Sequence, residues 1–100
     1  MSSIPEQHRP AIRVALDALV AGWRPELLTW VAAYGSSGAG LVRQPDDIWD
    51  HRRSEYQERA DGSAFAVVPL WTTSESPSDL DAELEITADG TVTICDVHVL

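Results

Sequence analysis

From residue 80 to residue 86 apolar and acidic side chains alternate without a break. Leu80, Ala82, Leu84 and Ile86 hold one parity, and Asp81, Glu83 and Glu85 hold the other. A period of two marks a strand with one buried face, so this stretch predicts a strand with an apolar core side and a wet acidic side. Asp89-Gly90 predicts a tight turn into a further strand over residues 91–100. In that strand Val92 and Ile94 keep one face before the apolar parity moves to Val97 and Val99. One extra residue produces such a switch, which predicts a bulge near Cys95-Asp96. Upstream, residues 63–72 are apolar on both parities, with Ala64, Ala66, Val68 and Leu70 on one and Phe65, Val67 and Trp71 on the other. That pattern predicts a strand covered on both sides. Pro69, which lacks an N–H, belongs at a bulge or where its backbone faces no neighbour. Asp61-Gly62 is a hairpin turn linking this run to Tyr56-Gln57-Glu58, and residues 73–79 form a polar loop.

The N-terminal half has a different period. Ile12, Leu16, Leu19 and Val20, with Trp23 in phase, predict a helix from about Pro10 that Gly22 ends, and Ser3 and Glu6 before it have capping-box spacing. Leu27, Trp30, Val31 and Tyr34 predict a second helix between Pro25 and Gly35, with Trp30 and Trp71 in the core. The short link between the two implies a helical hairpin. Residues 36–40 predict a mobile loop, and Leu41 and Val42 a short strand. Pro45-Asp46-Asp47 predicts a turn and N-cap leading into Ile48 and Trp49. Residues 41–60 carry the least pattern. The order of elements predicts an α+β fold in a single domain over residues 1–100, with the helical hairpin packed on a three- or four-stranded antiparallel meander sheet.

Composition narrows the function classes. Hydrophobic residues are 44% and charged residues 23%, which fits a folded globular chain. No apolar run approaches the roughly 18–20 residues of a membrane span, and the first ten residues lack the pattern of a signal peptide. The lone Cys95 agrees with a reducing compartment, so a cytoplasmic protein is expected. The net charge of −9 is unevenly spread. Residues 1–59 hold seven arginines against eight acids, for −1, whereas residues 60–100 hold eight acids and neither arginine nor lysine, for −8. Such a field repels phosphate backbones and anionic lipids and attracts basic proteins. Nucleic-acid and membrane binding are not expected.

Candidate chemistry follows from the same residues. Asp79, Asp81, Glu83 and Glu85 suit a partner-facing acidic surface. Trp49, among charged neighbours, suits a partner anchor or a lid, with a core position as the alternative. Alternate carboxylates of a straight strand stand about 6.8 Å apart, too far to share a calcium ion. Asp47, Asp50 and His51 have helical ligand spacing without a second ligand pair. No metal and no cofactor is therefore expected. Asp96 and His98 share parity, so the carboxylate can orient the imidazole in a pocket, but no serine lies in a nucleophile context and no catalytic residue is assigned.

Trp71-Thr72, Ser78-Asp79-Leu80, Glu83-Leu84 and the ending Asp96-Val97-His98-Val99-Leu100 resemble a group of short uncharacterised bacterial proteins that close in the same way. Ala18-Leu19-Val20-Ala21-Gly22 and Ala33-Tyr34-Gly35 are similar as well. In size and charge the chain also resembles the immunity proteins encoded beside bacterial toxins, an analogy of class. These likenesses imply a protein-interaction module, such as an immunity-type inhibitor whose acidic face blocks a basic site on a toxin or other partner. Two further readings stay open. One is a reduced nuclear-transport-factor-like or cystatin-like domain that binds a small molecule or acts on it near Asp96 and His98. The other is a homodimer that pairs sheet edges or buries Trp49.

Overall fold

The computed structural model describes residues 4–33 and 40–99, except for the side chain of Trp30. Expectations for Ser3, Tyr34, Gly35, the loop up to residue 39 and the Trp30 side chain lie outside the described residues. A 3-10 turn at Glu6–His8 leads into α1, Arg9–Val20. Pro10 opens that helix, where its missing N–H costs nothing. Ile12, Leu16 and Leu19 are the buried stripe, at the predicted spacing. Gly22 then takes φ +87°, a left-handed turn that favours glycine. Trp23 does not continue the stripe. The helix ends at Val20 and the Gly22 turn throws Trp23 outward, 77% exposed.

The second helical arm is broken. It consists of a 3-10 turn at Pro25–Leu27 and the five-residue α2, Thr29–Ala33. Leu27 and Val31 still reach the core, so the periodicity reports burial correctly although the backbone breaks at Leu28, with φ −96° and ψ 9°.

The strands are β1 Glu55–Glu58, β2 Ala64–Pro69, β3 Leu80–Ile86 and β4 Val92–Val99, in sheet order β1-β2-β3-β4 with every neighbour antiparallel. Gly62 and Gly90 take positive φ in the two Asp-Gly turns. One sheet face carries Ala64, Ala66 and Val68 of β2, Leu80, Ala82, Leu84 and Ile86 of β3, and Ile94 and Val97 of β4. These residues form one cluster with the buried stripe of α1 and with Leu27, Val31 and Ile48, and both helices pack against β4. Pro69 is the last residue of β2 and pairs with Asp81, while β1 stops opposite Val67. Its missing N–H therefore falls where β1 has ended. No helix of the described residues is long and apolar enough to cross a membrane.

The weakly patterned middle is held by side chains rather than by a ladder. Leu41 makes a single bridge to Thr72. The fully buried Gln44 donates to the Val42 and Trp71 carbonyls at 2.6 and 3.0 Å and accepts the Trp71 N–H at 2.6 Å, standing in for a missing strand neighbour. Asp46–Trp49 is a 3-10 turn that buries Ile48 and Trp49. Arg9 and Arg13 of α1 lie over the Trp49 ring at 5.6 and 5.3 Å, and its indole N–H donates to Asp46 Oδ1 at 3.2 Å. Trp49, 7% exposed, is thus a packed residue and not a free anchor or lid. Two arginines of α1, distant in sequence, cover the ring and keep it out of solvent.

Candidate functional site

The face of the sheet away from the helices carries the acidic stripe. The pairing places Asp81, Glu83 and Glu85 beside Pro69, Val67 and Phe65 of β2, and beside His98, Asp96 and Thr93 of β4. Asp81 and Glu85 are not open carboxylates awaiting a cation. Asp81 is buried at 6% exposure and accepts from Arg53 Nη2 at 2.7 Å, and the same guanidinium donates to the Ser78 carbonyl at 2.6 Å. Glu85 accepts both prongs of Arg59, at 2.7 and 2.8 Å. The guanidinium holds the Glu85 carboxyl below its ordinary range, and the carboxylate raises Arg59 in turn. The lysine-free and arginine-free last part of the chain is therefore neutralised at two points by arginines of the first part. Asp79 is exposed just before β3.

Glu83 differs from its two neighbours on the stripe. It stands opposite Asp96, and the ladder shifts by one residue at this point, since Leu84 pairs with Ile94 and Glu83 with Asp96. Cys95 is the extra residue, at the position where the parity switch predicts a bulge. Because of that bulge Val97 remains in the core while Asp96 and His98 face outward with Glu83. One ligand atom from each of Glu83, Asp96 and His98 lies within 4.8 Å of the other two. Asp96 Oδ2 is 3.4 Å from His98 Nδ1, with the side chains 54% and 33% exposed. That nitrogen is shielded from solvent and has no hydrogen-bond partner. Among the described residues no guanidinium pairs with Glu83 or Asp96.

Two carboxylates and an imidazole at this spacing form an anionic receptor for a guanidinium, an ammonium or a metal ion. They are poorly equipped for nucleophilic catalysis. Cys95 is exposed, and partial desolvation together with the Glu85 and Glu83 charges raises its thiol pKa, which lowers its reactivity. A hollow of about 250 Å³ lies at the β1 side of the sheet, lined by Glu55, Tyr56, Gln57 and Phe65, and includes neither Asp96 nor His98. Of the sequence-derived candidates, Asp96 and His98 come together as their parity suggests. Glu83 joins them, a grouping the sequence reading did not make. Trp49 lies apart, against α1. Asp47 and Asp50 are exposed, while His51 stacks edge-on to Trp71 and accepts the Arg53 N–H, so those three build no ligand set.

The chain belongs to the family described as a domain of unknown function (DUF7668), whose model matches residues 1–100. No curated protein and no solved structure matches it.

Proposed function

We propose that this family member is a non-enzymatic interaction module whose outer sheet face takes up a cationic group of a basic protein partner between Glu83, Asp96 and His98. The reading is carried by a contrast within one face. Asp81 and Glu85 hold arginines of this chain, whereas Glu83 and Asp96 face each other and are paired with no arginine of the described residues. Two carboxylates less than 5 Å apart repel by roughly 1 kcal/mol even at the dielectric of water, and an incoming cation turns that repulsion into attraction. The net charge of −9 steers such a partner, and the mechanism is occlusion of its basic site, as an immunity-type inhibitor would achieve.

An arginine-rich peptide titrated by calorimetry is a sufficient probe. Binding is expected at about 0.01 M salt and should fade above about 0.1 M, as the screening length falls from roughly 30 to 10 Å. It should also weaken in Glu83→Gln and Asp96→Asn. Binding that ignores both substitutions, or that is weakened equally by Asp47→Asn, contradicts the reading.

A further inference from the structure

The geometry points to a more specific cation: we propose that Glu83, Asp96 and His98 form a binding site for a divalent first-row transition metal, of which zinc is the representative. This rests on the reading of the outer face as cation-receiving and names an ion that would occupy it.

Three observations carry the inference. The first is the donor set. Calcium and magnesium prefer all-oxygen surroundings, whereas an imidazole beside carboxylates suits zinc, manganese, iron or cobalt. The two carboxylates also match the charge of a divalent ion. The second is the distance. A metal bonded at about 2.0–2.2 Å to each ligand holds tetrahedral neighbours roughly 3.3–3.6 Å apart and adjacent octahedral ones roughly 2.8–3.1 Å apart. Asp96 Oδ2 and His98 Nδ1 already stand 3.4 Å apart, and closing the remainder from within 4.8 Å needs only a rotamer-scale shift of Glu83. The third is His98 Nδ1 itself, which is screened from water and without a hydrogen bond although Asp96 Oδ2 is only 3.4 Å away. An unpaired polar atom in that position costs free energy that coordination recovers.

The scaffold suits the task. All three ligands project from paired strands rather than loops, and the bulge takes up Cys95 so that Asp96 and His98 stay on the face of Glu83. Asp81 and Glu85 on either side are occupied by Arg53 and Arg59, so they do not compete for the ion. Three protein ligands leave at least one coordination position open to water or to a side chain of a partner.

The test is calorimetric titration of the intact protein with zinc chloride, with visible spectra of the cobalt(II) form as a second readout. Binding of one zinc per chain is expected, with much weaker binding of magnesium. Glu83→Gln, Asp96→Asn and His98→Gln should each weaken zinc at least about tenfold, the loss that even a misoriented ligand causes. Cys95→Ser should leave affinity and the cobalt spectrum unchanged, and circular dichroism confirms that each variant is folded. No zinc binding, binding indifferent to His98→Gln, or loss of binding in Cys95→Ser overturns the inference. If zinc fails while the arginine-rich peptide still binds through Glu83 and Asp96, the metal site falls and the partner reading stands. If zinc binds and the peptide does not, the metal site stands and the partner reading falls.

Discussion

Arg59 and Glu85 form a two-pronged ion pair, at 2.7 and 2.8 Å, across 26 residues of sequence. The Asp61-Gly62 turn makes it possible. Arg59 follows β1, and its side chain spans β2 to reach β3, where Glu85 stands opposite Phe65. The contact decides how the outer face looks to a visitor, because it removes Glu85 from the set of available carboxylates.

The same contact gives the stability a definite acid limb. Glu85 is held low by Arg59, Asp61 by Ser63, and Asp89 by Thr87 and Thr91. Each binds its proton less readily folded than unfolded, so each contributes stability above the ordinary carboxylate range near 4 and loses it as pH falls through the folded pKa. The urea midpoint is expected to be level near neutrality and to fall below about pH 4. In carboxyl NMR, Arg59→Gln should return Glu85 toward the ordinary glutamate value. A wild-type Glu85 that already titrates at that value contradicts the pairing.

Arg53 and Asp81 are a more demanding pair, since Asp81 is buried and the guanidinium also serves two backbone carbonyls. Arg53→Met strands a buried carboxylate and should cost about 3 kcal/mol in urea unfolding. The double variant Arg53→Met with Asp81→Leu should recover a large part of that loss, because no charge is then left unpaired. A double variant as unstable as the sum of the two singles rules out the pairing as the source.

Trp49 closes the space between α1 and the Asp46–Trp49 turn, under two arginines. Trp49→Ala should destabilise the fold by about 3–5 kcal/mol, as loss of a large buried aromatic does. A partner anchor would instead be lost at little cost in stability. Unfolding curves for the variant separate the two.

Cys95 is the one residue by which β4 exceeds its partner strand. Deleting it should leave Ile94 and Val97 in the core and Asp96 and His98 on the outer face, because the remaining residues then alternate without a bulge. Folding and zinc affinity close to the parent are expected for the deletion, whereas inserting a second residue after Cys95 should abolish both. A deletion variant that fails to fold contradicts the assignment of Cys95 as the extra residue.

Much of this architecture is legible in the sequence, for reasons that differ by element. Strand β3 and the Cys95 bulge are readable because a period of two admits no drift, so one misplaced parity locates an inserted residue. The break at Leu28 is not readable, since Leu27 and Val31 satisfy the same spacing in a continuous helix or an interrupted one. Residues 41–54 are opaque because Gln44, Arg13 and Arg53 organise them through side-chain bonds to distant backbone, which leave no periodic trace. The grouping of Glu83 with Asp96 lies between these cases. The Asp89-Gly90 turn sets Ile86 against Val92, and counting back through one bulge pairs Glu83 with Asp96. The signal was there, but it requires register and bulge to be combined. The acidity of residues 60–100 misleads, because a chain-segment charge says nothing of which arginines fold over it.

The most direct measurement is the broadening of amide NMR signals by substoichiometric manganese(II), which reports where on this acidic surface a cation settles. The signals of Leu84 and of Cys95 to His98 should broaden first, and in the Glu83→Gln and Asp96→Asn double variant they should not. Broadening centred on Asp46 to Asp50 or on the Asp89 turn, or spread evenly over the exposed acids, would contradict a cation site at Glu83, Asp96 and His98.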